Sequence, residues 1–125
     1  WLPLALARYV EATGDTRVLT EQIRYLDGRP VNPPDDSYYD LPLPSGKEAS
    51  LYQHAADALW HGLRFGEHGL PLIGTADWND GMNLVGEEGR GESVWLGFFL
   101  CEVLGRFGAL AERHGDARSG ARVRR

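Results

Sequence analysis

Between Asp77 and Asn83 the chain packs two carboxylates, two amides and an indole into seven consecutive positions: Asp77, Trp78, Asn79, Asp80 and Asn83, separated only by Gly81 and Met82. Two chemistries fit this set. An Asx-rich turn would spend the carboxylates and amides on its own backbone, with Trp78 filling a gap in the core. A sugar subsite would lay the apolar face of a pyranose on the indole and pair its hydroxyls with the carboxylates and amides. One carboxyl beside an indole in a dry pocket can stay protonated near neutral pH, as a general acid must. From the residues alone both readings stay open.

Other familiar sites fail on spacing. Gly91-Glu92-Ser93-Val94-Trp95 approaches the nucleophile-elbow pattern, but Trp95 stands where the sharp turn requires a glycine. Ser93 reads better as a helix N-cap. A calcium loop registered on Gly81 puts Glu87 at the last ligand position, yet leaves Ala76 and Trp78 where oxygen ligands belong. His54, His61 and His68 recur every seven residues, on roughly one helix face, without a zinc-protease spacing. No metal site is expected, and no Walker or dinucleotide-binding glycine pattern occurs.

The elements that must position the Asp77–Asn83 segment read as helices. Leu2, Ala5, Leu6, Tyr9 and Val10 recur at helical spacing, Pro3 is tolerated in a first turn, and Gly14 is a helix stop. A shorter amphipathic stretch follows, with Val18, Leu19, Ile23 and Leu26 as its buried side. From Asp27 to Ser45 the pattern collapses around five of the seven prolines. A connection longer than about 12–15 residues is either functional or disordered; Tyr38 and Tyr39 favour an ordered loop here, since they give it something to pack. Ser45-Gly46-Lys47-Glu48 matches a capping box, which predicts a helix from about 46 to Arg64 closed by Gly66. Six glycines then punctuate Gly69–Gly91. Beyond Ser93 a helix runs to Leu110, apolar all round in its first turns, which predicts deep burial. The class read from these patterns is all-α.

Composition narrows the functions. The 125 residues suit one domain of the usual size, and a net charge of −5 argues against a nucleic-acid partner. An apolar share of 42% is enough for a packed core. No uninterrupted apolar run approaches the ~18 residues of a membrane span, so no membrane contact is expected from this segment. The lone Cys101 excludes an internal disulfide and fits a reducing, cytoplasmic setting. From Arg113 onward five arginines oppose only Asp116, so residues 113–125 read as a disordered arginine-rich tail. Chemistry of this kind without an initiator Met reads as a piece of something longer.

The segments Gly69–Asn83 and Gly89–Gly97, with Gly74-Thr75-Ala76-Asp77-Trp78-Asn79-Asp80-Gly81-Met82-Asn83 at their centre, resemble glycoside hydrolase family 94, the family of cellobiose and chitobiose phosphorylases. The wording is most similar to the phosphorylase-like C-terminal region of cyclic β-1,2-glucan synthetases, followed by 1,2-β-oligoglucan phosphorylases. Trp1-Leu2-Pro3 and Glu48–His54 resemble family segments in the same order, so the likeness covers roughly residues 1–112.

That resemblance implies part of an (α/α)6-barrel catalytic domain over residues 1–112, with the remainder of the barrel supplied elsewhere. It implies inverting phosphorolysis of a β-linked glucooligosaccharide, with inorganic phosphate as co-substrate, no cofactor, and α-glucose 1-phosphate as product. The second aspartate of the family block falls on Asp80, implied to be the general acid. Trp78 is implied to line the sugar subsite, and Asp77 and Asn79 to bind substrate. The family's donor-subsite acids would precede Trp1, and its phosphate ligands would lie largely beyond Arg125, so the 125 residues alone are expected to be inactive. The setting implied is cytoplasmic, alone or as part of an inner-membrane synthase. The competing reading is a non-catalytic α-helical module that binds carbohydrate or packs against a partner; such a module would tolerate Asn at position 80.

Overall fold

The computed structural model describes residues 1–32, 38–74 and 84–116. In chain order they form helix α1 (Leu2–Thr13), a 3-10 turn (Arg17–Thr20), strands β1 (Gln22–Asp27) and β2 (Leu43–Ser50), and helices α2 (Leu51–Gly62) and α3 (Val94–Arg113). As expected, α1 carries Pro3 in its first turn and ends at Gly14, whose φ of 71° is the left-handed closure.

The all-α expectation is corrected by a two-stranded antiparallel sheet. Ile23 and Leu26 are three apart, which imitates a helix face, but Gln22–Asp27 is extended and Leu26 is 63% exposed. Period two governs instead. Tyr25 reaches α2, where its hydroxyl donates to Asp57 and its ring stacks on His54 at 3.8 Å. The strands are joined by residues 28–42, far longer than the two-residue turns that mark a hairpin in sequence. Tyr38 does pack in that connection, under the Arg29 guanidinium at 4.0 Å, whereas Tyr39 is fully exposed.

The capping box is also corrected. Ser45 lies in β2 and bonds locally, its hydroxyl accepting from the Lys47 amide at 3.0 Å. Glu48 faces its cross-strand partner Arg24 rather than a helix start. The cap of α2 is Ser50, whose hydroxyl accepts from the Gln53 amide at 3.1 Å. β2 therefore runs directly into α2, and the first amide of the helix donates to the Glu21 carbonyl at 2.8 Å. At the other end the helix stops at Gly62 with Leu63 as its cap, well before Gly66.

One core joins the helices. It contains Leu6 and Val10 of α1, Tyr52, Ala55 and Leu59 of α2, and Val103, Phe107 and Leu110 of α3, with Leu19 beneath them. Phe107 is wholly buried and stacks on Tyr52, ring centroids 5.4 Å apart. Arg106 of α3 ties this side to α1 through Glu11 and to its own helix through Glu102, at 2.6 and 2.5 Å. Beyond Arg113 the chain stays attached, since the Asp116 amide donates to the Ala111 carbonyl and its carboxylate accepts from Tyr52. The rest of the arginine-rich tail lies outside the described residues.

Deep burial of α3 holds only for its second half. In the first half Val94, Trp95 and Phe98 are 58%, 50% and 75% exposed. The helix is apolar all round there, as read from sequence, yet among the described residues it is covered on one side only. By length and composition α3 is also long and apolar enough to cross a membrane.

Three outcomes follow from this packing. Ser50→Ala should cost roughly 1 kcal/mol in chemical denaturation, as a lost N-cap does, with Ser50→Asp recovering most of it. Glu48→Ala, which breaks only an exposed pair, should change stability by less than about 1 kcal/mol; the reverse ranking would restore the capping box. The uncovered face around Trp95 and Phe98 should make the 125-residue chain self-associate, and a clean monomer in sedimentation would contradict it.

Candidate functional site

Asp77, Trp78, Asn79 and Asp80 lie outside the described residues, within the stretch 75–83. Their surroundings in the chain are described on both sides. Three short extended segments lie side by side. Phe65 bridges Pro71, and Leu72 bridges Glu92, both antiparallel. The Leu72 amide donates to the Arg64 carbonyl at 2.9 Å and the Gly66 amide to the Leu70 carbonyl at 2.9 Å. On the other flank the Ile73 amide donates to the Gly91 carbonyl at 2.8 Å, and the Ser93 amide to the Pro71 carbonyl at 2.9 Å. The segment that leaves at Gly74 and the one that returns to α3 are thus hydrogen-bonded neighbours.

The approach is closest at two glycines. A Cβ on Gly86 would run into the Gly74 carbonyl oxygen, so the returning backbone touches the departing one. Gly91 is pressed in the same way against the Val85 carbonyl. Gly74 itself has φ 73°, which a side chain would strain. At Gly86 the two limbs meet backbone to backbone, whereas Gly91 packs against its own limb at Val85.

Glu92 locks this junction. One carboxylate oxygen accepts from the His68 amide at 2.9 Å, and the other from the Leu70 amide at 3.2 Å. His68 Nδ1 lies 3.3 Å from the first oxygen. The side chain is only 10% exposed. Above all the His68 backbone N–H, with help from Leu70 and the His68 ring, holds its carboxyl below the usual carboxylate range, although partial burial opposes this. Nothing in the sequence links Glu92 to His68 and Leu70, which stand 24 and 22 positions away. Gly66, read as a helix stop, instead leaves the space that this carboxylate fills.

The remaining candidates sort plainly. Ser93 caps α3, accepting from the Leu96 amide at 3.1 Å, and is not a nucleophile on a strand-to-helix elbow. His68 is not on α2 with His54 and His61 but in the turn held by Glu92. His54 Nε2 donates to the Ile23 carbonyl at 2.8 Å, a structural role. Arg90 pairs with Glu88 on the surface. Among the described residues no three His, Cys, Asp or Glu side chains converge as a metal site would require.

Beside the junction a cleft of about 260 Å³ opens between the start of α1, the end of α2 and the first half of α3. Trp1, Leu59, Leu72, Ile73, Phe99 and Leu100 line it, and Arg64 is the one charged side chain among the described residues there. Trp1 packs on Phe99 with ring centroids 4.7 Å apart. Such a lining suits packing against other chain better than it suits sugar hydroxyls.

Comparison with known proteins identifies the family. The catalytic-domain model of the glycosyl hydrolase 94 superfamily matches residues 1–125. Over 108 residues the chain is 42% identical to the cyclic beta-(1,2)-glucan synthase NdvB of Rhizobium meliloti, covering 86% of this chain and 4% of that protein. Over 112 residues it is 30% identical to the solabiose phosphorylase of Paenibacillus borealis, covering 89% and 12%. Over 118 residues it is 30% identical to the N,N'-diacetylchitobiose phosphorylase of Vibrio furnissii, covering 94% and 12%. The chain thus spans only a small part of the length of these relatives. Matched from Trp1 to Arg125, it belongs to the glycosyl hydrolase 94 superfamily, within the catalytic domain.

Proposed function

We propose that the chain supplies the acid-bearing loop of an inverting phosphorylase domain, an (α/α)6 barrel that acts on β-1,2-linked glucooligosaccharides. The observation that carries this reading is the Asp77-Trp78-Asn79-Asp80 segment, set between two hydrogen-bonded limbs in a chain of this family. The phosphorylase names among its relatives support the reaction class, and the glucan synthase relative supports the linkage. The uncovered half of α3 and the apolar cleft beside it are the faces on which the rest of the barrel would pack.

In the proposed reaction a phosphate oxygen attacks the anomeric carbon from the face opposite the glycosidic oxygen. The carbon–oxygen bond to the leaving sugar breaks, and Asp80 passes its proton to that oxygen. The products are α-glucose 1-phosphate and the shortened oligosaccharide, and the Asp80 carboxylate regains a proton from solvent. An inverting hydrolase needs a second carboxylate to activate water. Phosphate is already an anionic nucleophile, so one acid is enough and no cofactor enters. Trp78 offers the ring face, and Asp77 and Asn79 pair with sugar hydroxyls. The setting that fits a sugar-phosphate product and the lone Cys101 is the cytoplasm, alone or beside a membrane synthase.

The test is made in the intact protein that carries this segment. Asp80→Asn keeps size and polarity but removes the transferable proton, so turnover on oligosaccharide should fall about 10²–10⁴-fold. Turnover of β-glucosyl fluoride with phosphate should fall far less, because fluoride leaves without protonation. Equal losses on both substrates would make Asp80 a binding residue, and no loss would favour the non-catalytic module. Selectivity appearing only in Asp77→Asn would move the acid to that carboxylate. Trp78→Ala should raise KM while costing less than the ~3–5 kcal/mol of a core aromatic truncation; global unfolding would place Trp78 in the core.

A further inference from the structure

We propose that Glu92 is a positioning residue for this reaction, acting through the limbs of the loop rather than on the sugar. The inference rests on the reading of Asp80 as general acid and adds to it a residue outside the loop.

The geometry points to that role in three ways. The backbone of Glu92 bridges Leu72, two residues before Gly74, while its side chain reaches past that bridge to the turn at His68 and Leu70. A single residue thus ties the returning segment to the departing one and to the turn that precedes it. Both carboxylate oxygens are occupied by backbone amides, and the side chain is 10% exposed, so it has little surface to offer a ligand. Gly66 faces this carboxylate so closely that a Cβ there would overlap its terminal atoms. The turn and the acid are fitted to each other.

A general acid must meet its glycosidic oxygen within hydrogen-bond reach, and a misplacement of about 1 Å costs on the order of 10²-fold in rate. Glu92 bears on that distance because it fixes where the departing limb stands against the returning one. Two variants loosen it independently. Glu92→Gln keeps the shape but turns an N–H toward a backbone N–H, losing one arm. Gly66→Ala leaves Glu92 in place and pushes its carboxylate out of the turn.

The experiment measures, in the intact protein, the ratio of kcat on a β-1,2-glucooligosaccharide to kcat on β-glucosyl fluoride, both with phosphate. A ratio within one preparation cancels any loss of folded protein. Both variants should lower it on the order of 10²-fold with KM little changed, in the direction of Asp80→Asn, and Glu92→Asp, which keeps both acceptor oxygens, should recover part. If Asp80→Asn lowers the ratio and the two variants do not, even with a reduced Tm, Glu92 is only structural and the inference is overturned. If Asp80→Asn leaves the ratio unchanged, the acid reading fails and the positioning role falls with it.

Discussion

The pairing of Leu72 with Glu92 is the constraint on which the rest of this structure turns. It joins the chain leaving α2 to the chain entering α3, although 19 residues separate the two partners in sequence. Backbone hydrogen bonds on both flanks hold the three extended segments side by side. Its cost is the conformational entropy of closing the loop, which grows only slowly with loop length. Amides at His68 and Leu70 that would otherwise want for acceptors are satisfied by one ionised carboxylate. Hydrogen bonds to a charged acceptor are stronger than neutral ones. Because that carboxyl is held below its ordinary range, the share of stability it contributes is present at neutral pH and is lost as acid protonates Glu92.

The helices distribute their apolar surface around that junction. The second half of α3 closes the core with Phe107 against Tyr52, while its first half carries Trp95 and Phe98 outward. A single helix thus has one end packed within the described residues and one end exposed. The cleft between Trp1 and Phe99 continues the same apolar surface toward the loop limbs.

How much of this was legible in the sequence depended on the range of the interactions. Local signals read well: Gly14 ends α1 and Ser93 caps α3. Signals that rely on a distant partner did not. Ile23 and Leu26 imitate a helix face because their strand partner arrives only at residues 43–50. Ser45 and Glu48 have the types and spacing of a capping box, but Glu48 is drawn to Arg24 across the sheet and Ser50 takes the cap. Of the candidate site, the sequence named the loop and its residue types, and family likeness assigned roles within it. The carboxylate that braces the limbs escaped notice because its partners lie more than 20 residues away.

Placing one acid and no paired base at the loop commits the account to a nucleophile that needs no deprotonation. The stereochemistry of the product tests that commitment most directly. The intact protein would be given β-1,2-glucooligosaccharide and inorganic phosphate, and the first sugar product followed by proton and phosphorus NMR before mutarotation or side reactions intervene. The account predicts α-glucose 1-phosphate, formed in step with phosphate consumption. Free glucose released without phosphate, or the β-anomer of the sugar phosphate, would contradict it.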